Sequence, residues 1–187
     1  MKFLLVGAGG HAKAIVETLR DRGHRIEAYV DPRKSDWLDA RHVAHEDGIE
    51  DRRLAVVLGI GGVTPGALAR RVAILDRYLK RGFKAPPVVH KSAVNSRSAE
   101  LDHGTVVLAG AILQPATNIG RAAIINTRAL VEHDSSVGAG SHIAPGAVVL
   151  GGCAVGSCAM IGAGSVVLQG VKVPDRKIVK STSLWLG

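Results

Sequence analysis

Every sixth residue from Leu101 to Val179 is Leu, Ile or Val, and the run passes through Val107, Leu113, Ile119, Ile125 and Val131 without losing phase. Four positions after each aliphatic the residue is in most blocks small, as at Thr105, Ala111, Thr117, Ala123, Ser135 and Ala147. A period of six matches neither the period of about 3.6 of an α-helix nor that of about 2 of a simple strand. It fits a hexapeptide β-helix, in which three short strands make a triangular coil of about 18 residues. The aliphatic points into the prism, the small residue fits a tight corner, and each coil pairs with the next through parallel backbone hydrogen bonds. The repeat is long enough for between four and five coils. Lys177 departs from the small-residue pattern, and Trp185 continues the inward phase, where it is expected to plug the end of the prism.

Composition agrees with a narrow interior. Hydrophobic residues make up 47% of the 187, yet aromatics only 3%, and there are 23 glycines. Abundant Val, Ile and Leu exclude a disordered chain. The two cysteines, Cys153 and Cys158, are too few and too close to staple a fold of this size. No apolar run approaches the roughly 18 residues of a membrane span, and the glycines within residues 1–13 make that stretch a first strand and turn, not a signal peptide. A cytoplasmic protein without membrane insertion is expected. The net charge of +8 suits a solvated basic surface or polyanionic substrates such as nucleotide sugars and coenzyme A. Without interleaved aromatics or a long basic helix, the charge gives little support to nucleic-acid binding.

Ahead of the repeat, strand-like and helix-like segments alternate. An apolar run over residues 2–6 meets Gly7-Ala8-Gly9-Gly10-His11-Ala12. Ala12, Ile15, Val16 and Leu19 then share one helical face, and residues 26–30 read as a strand ending at Asp31-Pro32. A second apolar run, 54–60, leads into Gly61-Gly62; Thr64 and Pro65 suit a helix start, and Leu68, Val72, Leu75 and Leu79 keep helical spacing as far as Gly82. Val88-Val89 reads as a last strand. Such alternation predicts a small parallel sheet. Gly7-x-Gly9-x-x-Ala12 between strand and helix, with an acid about two dozen residues on, matches the dinucleotide fingerprint, in which glycines admit a phosphate to the helix N-terminus. Only about 85 residues are available, half of a full dinucleotide fold, so a mononucleotide-like ligand is expected. The expected division is a Rossmann-like domain over residues 1–85 and a β-helix over 86–187.

Gly-Ala-Gly-Gly-His-Ala, the Asp at the end of the second strand and the Ile-Gly-Gly loop, all ahead of a hexapeptide repeat, resemble one family of hexapeptide acyltransferases. It contains the sialic acid O-acetyltransferases and the nucleotide-amino-sugar N-acetyltransferases. The resemblance implies a left-handed parallel β-helix, a homotrimer and acetyl-coenzyme A as co-substrate. It also implies a nucleotide-linked amino sugar held by the N-terminal domain, for surface glycan synthesis. By the same resemblance Gly10, His11, Ala12, Asp31, Pro32 and Gly61 form the sugar-nucleotide loops, His133 is the catalytic base, and His142 and Ala163 contact the coenzyme.

Acyl transfer to an amine needs a group that removes a proton as attack proceeds, and imidazole titrates in the right range. His133 follows inward Val131 by two residues, which puts it at a coil corner between Glu132 and Asp134. A carboxylate beside it would orient the ring. Asp134 is chosen over Glu132 by family position alone, so the choice between the two acids stays open. His142 lies nine residues on, half a coil away, so it is expected to approach His133 only from a neighbouring subunit. Two further readings stand beside this one: an O-acetyltransferase using the same histidine, and a non-catalytic sugar-nucleotide-binding scaffold. A zinc site built from His103, His133 and His142 is disfavoured, because the close pair of histidines such a site needs is absent and His103 falls on a different corner phase. No metal is expected.

Overall fold

The computed structural model describes residues 1–187. The N-terminal unit contains β1 (Lys2–Val6), α1 (Gly10–Arg20), β2 (Arg25–Val30), β3 (Arg41–Val43), β4 (Ala55–Leu58) and α2 (Pro65–Lys80). The four strands form one parallel sheet in the order β3-β2-β1-β4. Alternation along β1 separates two cores, as expected of a strand buried on both faces. Phe3 and Leu5 pack with Ala12, Ile15, Val16 and Leu19 of α1, while Leu4 and Val6 pack with Ile74, Leu75 and Tyr78 of α2. The start of α2 is capped as its sequence suggests: Thr64 Oγ1 accepts from the N–H of Ala67, with Pro65 in the first turn. β3 is a strand the sequence reading lacked, being too short to show a period.

From Val88 the chain winds as a parallel β-helix whose two-residue strands pair at a separation of 18 residues, as in Ile124 with His142 and Leu130 with Val148. Val88–Val89 pairs with Val106–Val107, so it is the first strand of the solenoid and not the last of the N-terminal sheet. The phase of Val89 agrees with this, but Asn95 occupies the next inward position and hides it. The second residue of each strand faces inward, and one core runs from Val107 to Val179 through Ile125, Val131, Ile143 and Val155. Trp185 packs against the end of that core, its Nε1 donating to Lys172 O at 3.2 Å.

The prism's three faces differ in their outward residues. One carries Val106, Ile124 and His142, all buried under the N-terminal unit; this is the docking face. A second carries Val94, Ile112, Leu130, Val148, Val166 and Leu184, all aliphatic, with Val94 and Leu184 the most exposed; this is the apolar face. The third carries Glu100, Asn118, Ser136, Ala154 and Lys172; this is the polar face. Helix α2 lies along the corner between the polar and docking faces. Gly140 stands there at φ +69°, and a Cβ would run into Val72. Asp76 of α2 pairs with Arg121 at 3.0 Å on the same side.

Candidate active site

His133 occupies the corner between the apolar and polar faces, just after Val131 turns inward. Its Nδ1 lies 2.7 Å from Asp134 Oδ2, and both side chains are more than half exposed. A carboxylate only accepts, so Nδ1 carries the proton and the lone pair of the neutral ring sits on Nε2. The hydrogen bond to Asp134, reinforced by the charges of Asp134 and Glu132, raises the imidazole pKa above its ordinary value. Glu132 accepts at 3.4 Å from the backbone N–H of His133 and makes no bond to the ring. Asp134 stands at φ +58°, a left-handed corner position that Asp tolerates better than most residues.

One coil further on, Gly151 lies against the His133 ring, where a Cβ would come within 2.8 Å of Nε2. The N–H of Gly151 donates to no atom of the chain. A basic nitrogen and a free amide donor therefore share one corner, the pair that proton removal and oxyanion stabilisation require. The sequence reading did not single out Gly151, although stepping 18 residues from His133 leads to it.

His142 lies on the docking face, half a coil away, and is 6% exposed. Its Nδ1 is 2.7 Å from Gly62 O, which can only accept, so that nitrogen bears the proton and Nε2 accepts from Asn126 Nδ2 at 2.9 Å. Burial, together with the Arg71 charge, lowers its pKa. Both ring nitrogens are thus engaged within the chain, at the junction of the two units. Ala163 is partly exposed on the corner between the docking and apolar faces. His103 belongs to another corner, and no three His, Cys, Asp or Glu side chains gather where a metal ion could bind.

The loops at the carboxyl ends of β1, β2 and β4 converge. Asp31 uses both carboxylate oxygens on backbone amides, Ala8 at 2.9 Å and Arg33 at 3.0 Å, and so ties the first loop to the second. Trp37 Nε1 donates to Ala8 O at 2.9 Å. Two open clefts flank Asp31: one of about 510 Å³ bordered by Gly7, Pro32, Ile60 and Arg70, the other of about 360 Å³ bordered by Gly9, Arg33 and Trp37. Gly9 and Gly10 are exposed, with nothing within 4 Å of a would-be Cβ. The left-handed glycine of the loop is Gly7, at φ +88°. Ala12, expected among the sugar-nucleotide residues, is fully buried and packs beneath Gly59; it is a core residue of α1 and offers no side-chain surface to a ligand.

His11, in the first turn of α1, packs against the third loop, where a Cβ on Gly61 would press on it at 3.3 Å. Its Nε2 is buried without a hydrogen-bond partner. Desolvation, with the nearby Arg71 charge, pushes its pKa down to about 3, so the ring is neutral. Arg71 itself is 0% exposed. It donates to Leu58 O, Ile60 O, Ala122 O and Gly104 O and meets no carboxylate. Burial lowers its pKa to about 9, which leaves it charged at neutral pH. The signal was present in sequence: residue 71 falls three after Leu68 and four before Leu75, a cation inside the apolar stripe of α2.

Residues 2–63 match the family described as the PglD N-terminal domain. PerB from Caulobacter crescentus, in its structure with CoA and GDP-perosamine, is 30% identical, with 98% of this chain and 88% of that chain covered and a TM-score of 0.89. The acetyltransferase domain of PglB from Neisseria gonorrhoeae FA1090 is 27% identical over 98% of this chain and 90% of that one, with a TM-score of 0.90. A mutant of perosamine N-acetyltransferase from Caulobacter crescentus, also with CoA and GDP-perosamine, is 27% identical over 97% and 94%, with a TM-score of 0.77. No curated protein sequence matches the chain significantly. No helix is long and apolar enough to cross a membrane. With a small Rossmann-like sheet followed by a left-handed parallel β-helix, and at this identity to PerB over nearly its whole length, the chain belongs to the nucleotide-amino-sugar N-acetyltransferase family of hexapeptide-repeat acyltransferases.

Proposed function

We propose that this chain transfers the acetyl group of acetyl-coenzyme A to the amine of a nucleotide-linked amino sugar, in surface glycan synthesis in the cytoplasm. The observation that carries the reading is the exposed His133–Asp134 pair, with its free Nε2 beside the undonated amide of Gly151. The sugar amine attacks the thioester carbonyl while Nε2 of His133 takes its proton. Asp134 holds the ring and stabilises the imidazolium. The oxyanion of the tetrahedral intermediate accepts from Gly151 N–H. As the intermediate collapses, the C–S bond breaks and the imidazolium proton goes to the departing sulfur.

Residues 1–85 act as the sugar-nucleotide unit in this reading, through Gly10, His11, Asp31, Pro32 and Gly61, and residues 86–187 act as the transfer unit. The coenzyme lies beside Ala163; His142, expected as a second contact, is buried with both ring nitrogens bonded within the chain and braces the junction of the two units instead. Three copies pack through the apolar face, since six aliphatic outward positions in a column are otherwise left against water. His133, on one border of that face, then looks toward the partner's opposite border, along which the partner subunit's Ala163 stands more than one coil further on.

The test incubates the protein with acetyl-coenzyme A and a panel of nucleotide-linked amino sugars, following free thiol. Amine-dependent thiol release is expected. His133→Ala should lower kcat by about 10²-fold or more, and Gly10→Val should raise KM for the sugar while leaving that for acetyl-coenzyme A nearly constant. Release only with hydroxyl-bearing sugars that lack the amine would establish O-acetylation instead. Binding of nucleotide sugar without any transfer would leave a scaffold.

A further inference from the structure

The carbonyl oxygens of Leu58, Ile60 and Gly62 are two residues apart along one loop, and side chains hold all three. Arg71 Nη1 donates to Leu58 O at 2.9 Å and to Ile60 O, and His142 Nδ1 donates to Gly62 O at 2.7 Å. Arg71 also crosses into the solenoid, with Nε 2.8 Å from Ala122 O and Nη2 3.5 Å from Gly104 O. Against this, the amides of Gly61, Gly62 and Val63 donate to nothing in the chain. Alternate carbonyls of the loop are consumed on the solenoid side, and these three donors are left over.

As packing alone, this is a costly solution. A buried guanidinium without a counter-charge loses its hydration and recovers only carbonyl bonds, whereas an apolar side chain would continue the stripe of α2 at no such cost. What an apolar residue cannot do is bind carbonyls of both units at once. Arg does so because its planar fork offers five donors in fixed directions.

We propose that Arg71 is a positioning residue for the acceptor sugar: by clamping the Leu58 and Ile60 carbonyls to the solenoid corners at Gly104 and Ala122, it sets the Gly61–Val63 amides beside His11 as hydrogen-bond donors to the sugar nucleotide. The inference rests on the reading of this loop as part of the sugar-nucleotide site. It makes one side chain of α2, working beside the His142–Gly62 bond, a determinant of how the sugar loop sits on the solenoid.

Arg71→Met and Arg71→Lys, made in the full chain, test it. Met fills the stripe without a charge, which offsets only part of the cost of leaving four carbonyls without a donor, so Arg71→Met should melt below the wild-type temperature yet stay folded under assay conditions. Its KM for the nucleotide sugar should nonetheless rise about tenfold or more, with KM for acetyl-coenzyme A unchanged within about twofold. Arg71→Lys should recover part of the sugar KM, since an ammonium still reaches some of the carbonyls. A sugar KM within twofold of wild type in both folded variants overturns the proposal. So does a parallel rise in both KM values that follows a fall in melting temperature, the mark of a structural role only.

Backbone 15N relaxation at Gly61–Val63 gives a readout that needs neither transfer nor the Met variant. Without the guanidinium fork the loop should move more, so the order parameters of these amides should fall in Arg71→Lys while those of Ala55–Leu58 keep their wild-type values. Unchanged order parameters in the loop overturn the clamp even if the wild-type protein transfers no acetyl group, an outcome that by itself would count only against the functional reading above.

Discussion

Gly151 lies one coil above His133, so close that a single methyl group on it would sit 2.8 Å from the imidazole Nε2. The ring can lie over the neighbouring coil only because that position has no side chain. Gly151→Ala should therefore push the ring away from the amide it shares the corner with. If His133 is the base proposed above, kcat should fall by about 10-fold to 10²-fold, because a general base displaced from its line of attack loses most of its effect. Steady-state kinetics on a variant with wild-type melting temperature is the measurement, and undiminished turnover would separate Gly151 from the chemistry.

The raised pKa of His133 comes first from its hydrogen bond to Asp134. A base must be unprotonated to act, so the acidic limb of kcat/KM against pH should lie above the ordinary histidine value of 6.5. In Asp134→Asn the partner loses its charge, and the limb should move to lower pH while the plateau rate drops. Asn keeps the left-handed corner accessible, so folding is preserved. A limb that stays in place would mean that Asp134 does not set the base's pKa, and Glu132→Gln would be the next variant to titrate.

Leu130 and Val148 are paired neighbours on the apolar face. The double variant Leu130→Asp with Val148→Asp places two carboxylates where three copies are proposed to meet. It should convert a trimer into monomers in sedimentation velocity and abolish transfer, with little loss of helical signal from the N-terminal unit. An active monomer, in either the wild type or the variant, contradicts the shared site.

Acid should loosen the junction between the two units. His11 and His142 both have pKa values lowered by burial, that of His11 to about 3. Below about pH 6.5 the unfolded chain binds protons that the folded chain refuses, so stability falls as pH drops from there toward the folded values. The melting temperature should decline between pH 7 and pH 5. The slope should flatten in the double variant His11→Gln with His142→Gln, and an equal slope in the two proteins would place the acid sensitivity elsewhere.

Gly7 and Gly9 should respond differently to a methyl group. Gly7 stands at φ +88° with Ile60 Cγ1 2.6 Å from a would-be Cβ, whereas Gly9 has ordinary extended geometry and open space. Gly7→Ala should cost about 1–3 kcal/mol in denaturant unfolding, and Gly9→Ala under about 1 kcal/mol. Equal losses would refute the conformational distinction.

The repeat was legible because the residues that define a coil recur at a fixed local spacing. Val131, Val149 and Val167 stack on one another, and their phase is visible in the chain itself. The same spacing placed His133 outward at a corner. It also assigned Val88–Val89 to the wrong sheet, since one polar inward residue, Asn95, interrupted the phase. In the first loop the glycine pattern was readable, but not which glycine needed to be one. That depends on Ile60, more than fifty residues away, coming down on Gly7.

The sequence alone determined the solenoid, its coil length, the strand–helix alternation before it and the corner that carries His133, because each follows from a local period or a local turn. Only the tertiary structure decided where the N-terminal unit sits on the prism. Arg71 reaches Ala122 across 51 residues and His142 reaches Gly62 across 80. No period encodes such pairs; they form because a buried guanidinium and a buried imidazole must each find an acceptor, and the acceptors within reach are backbone carbonyls on both sides of the unit boundary.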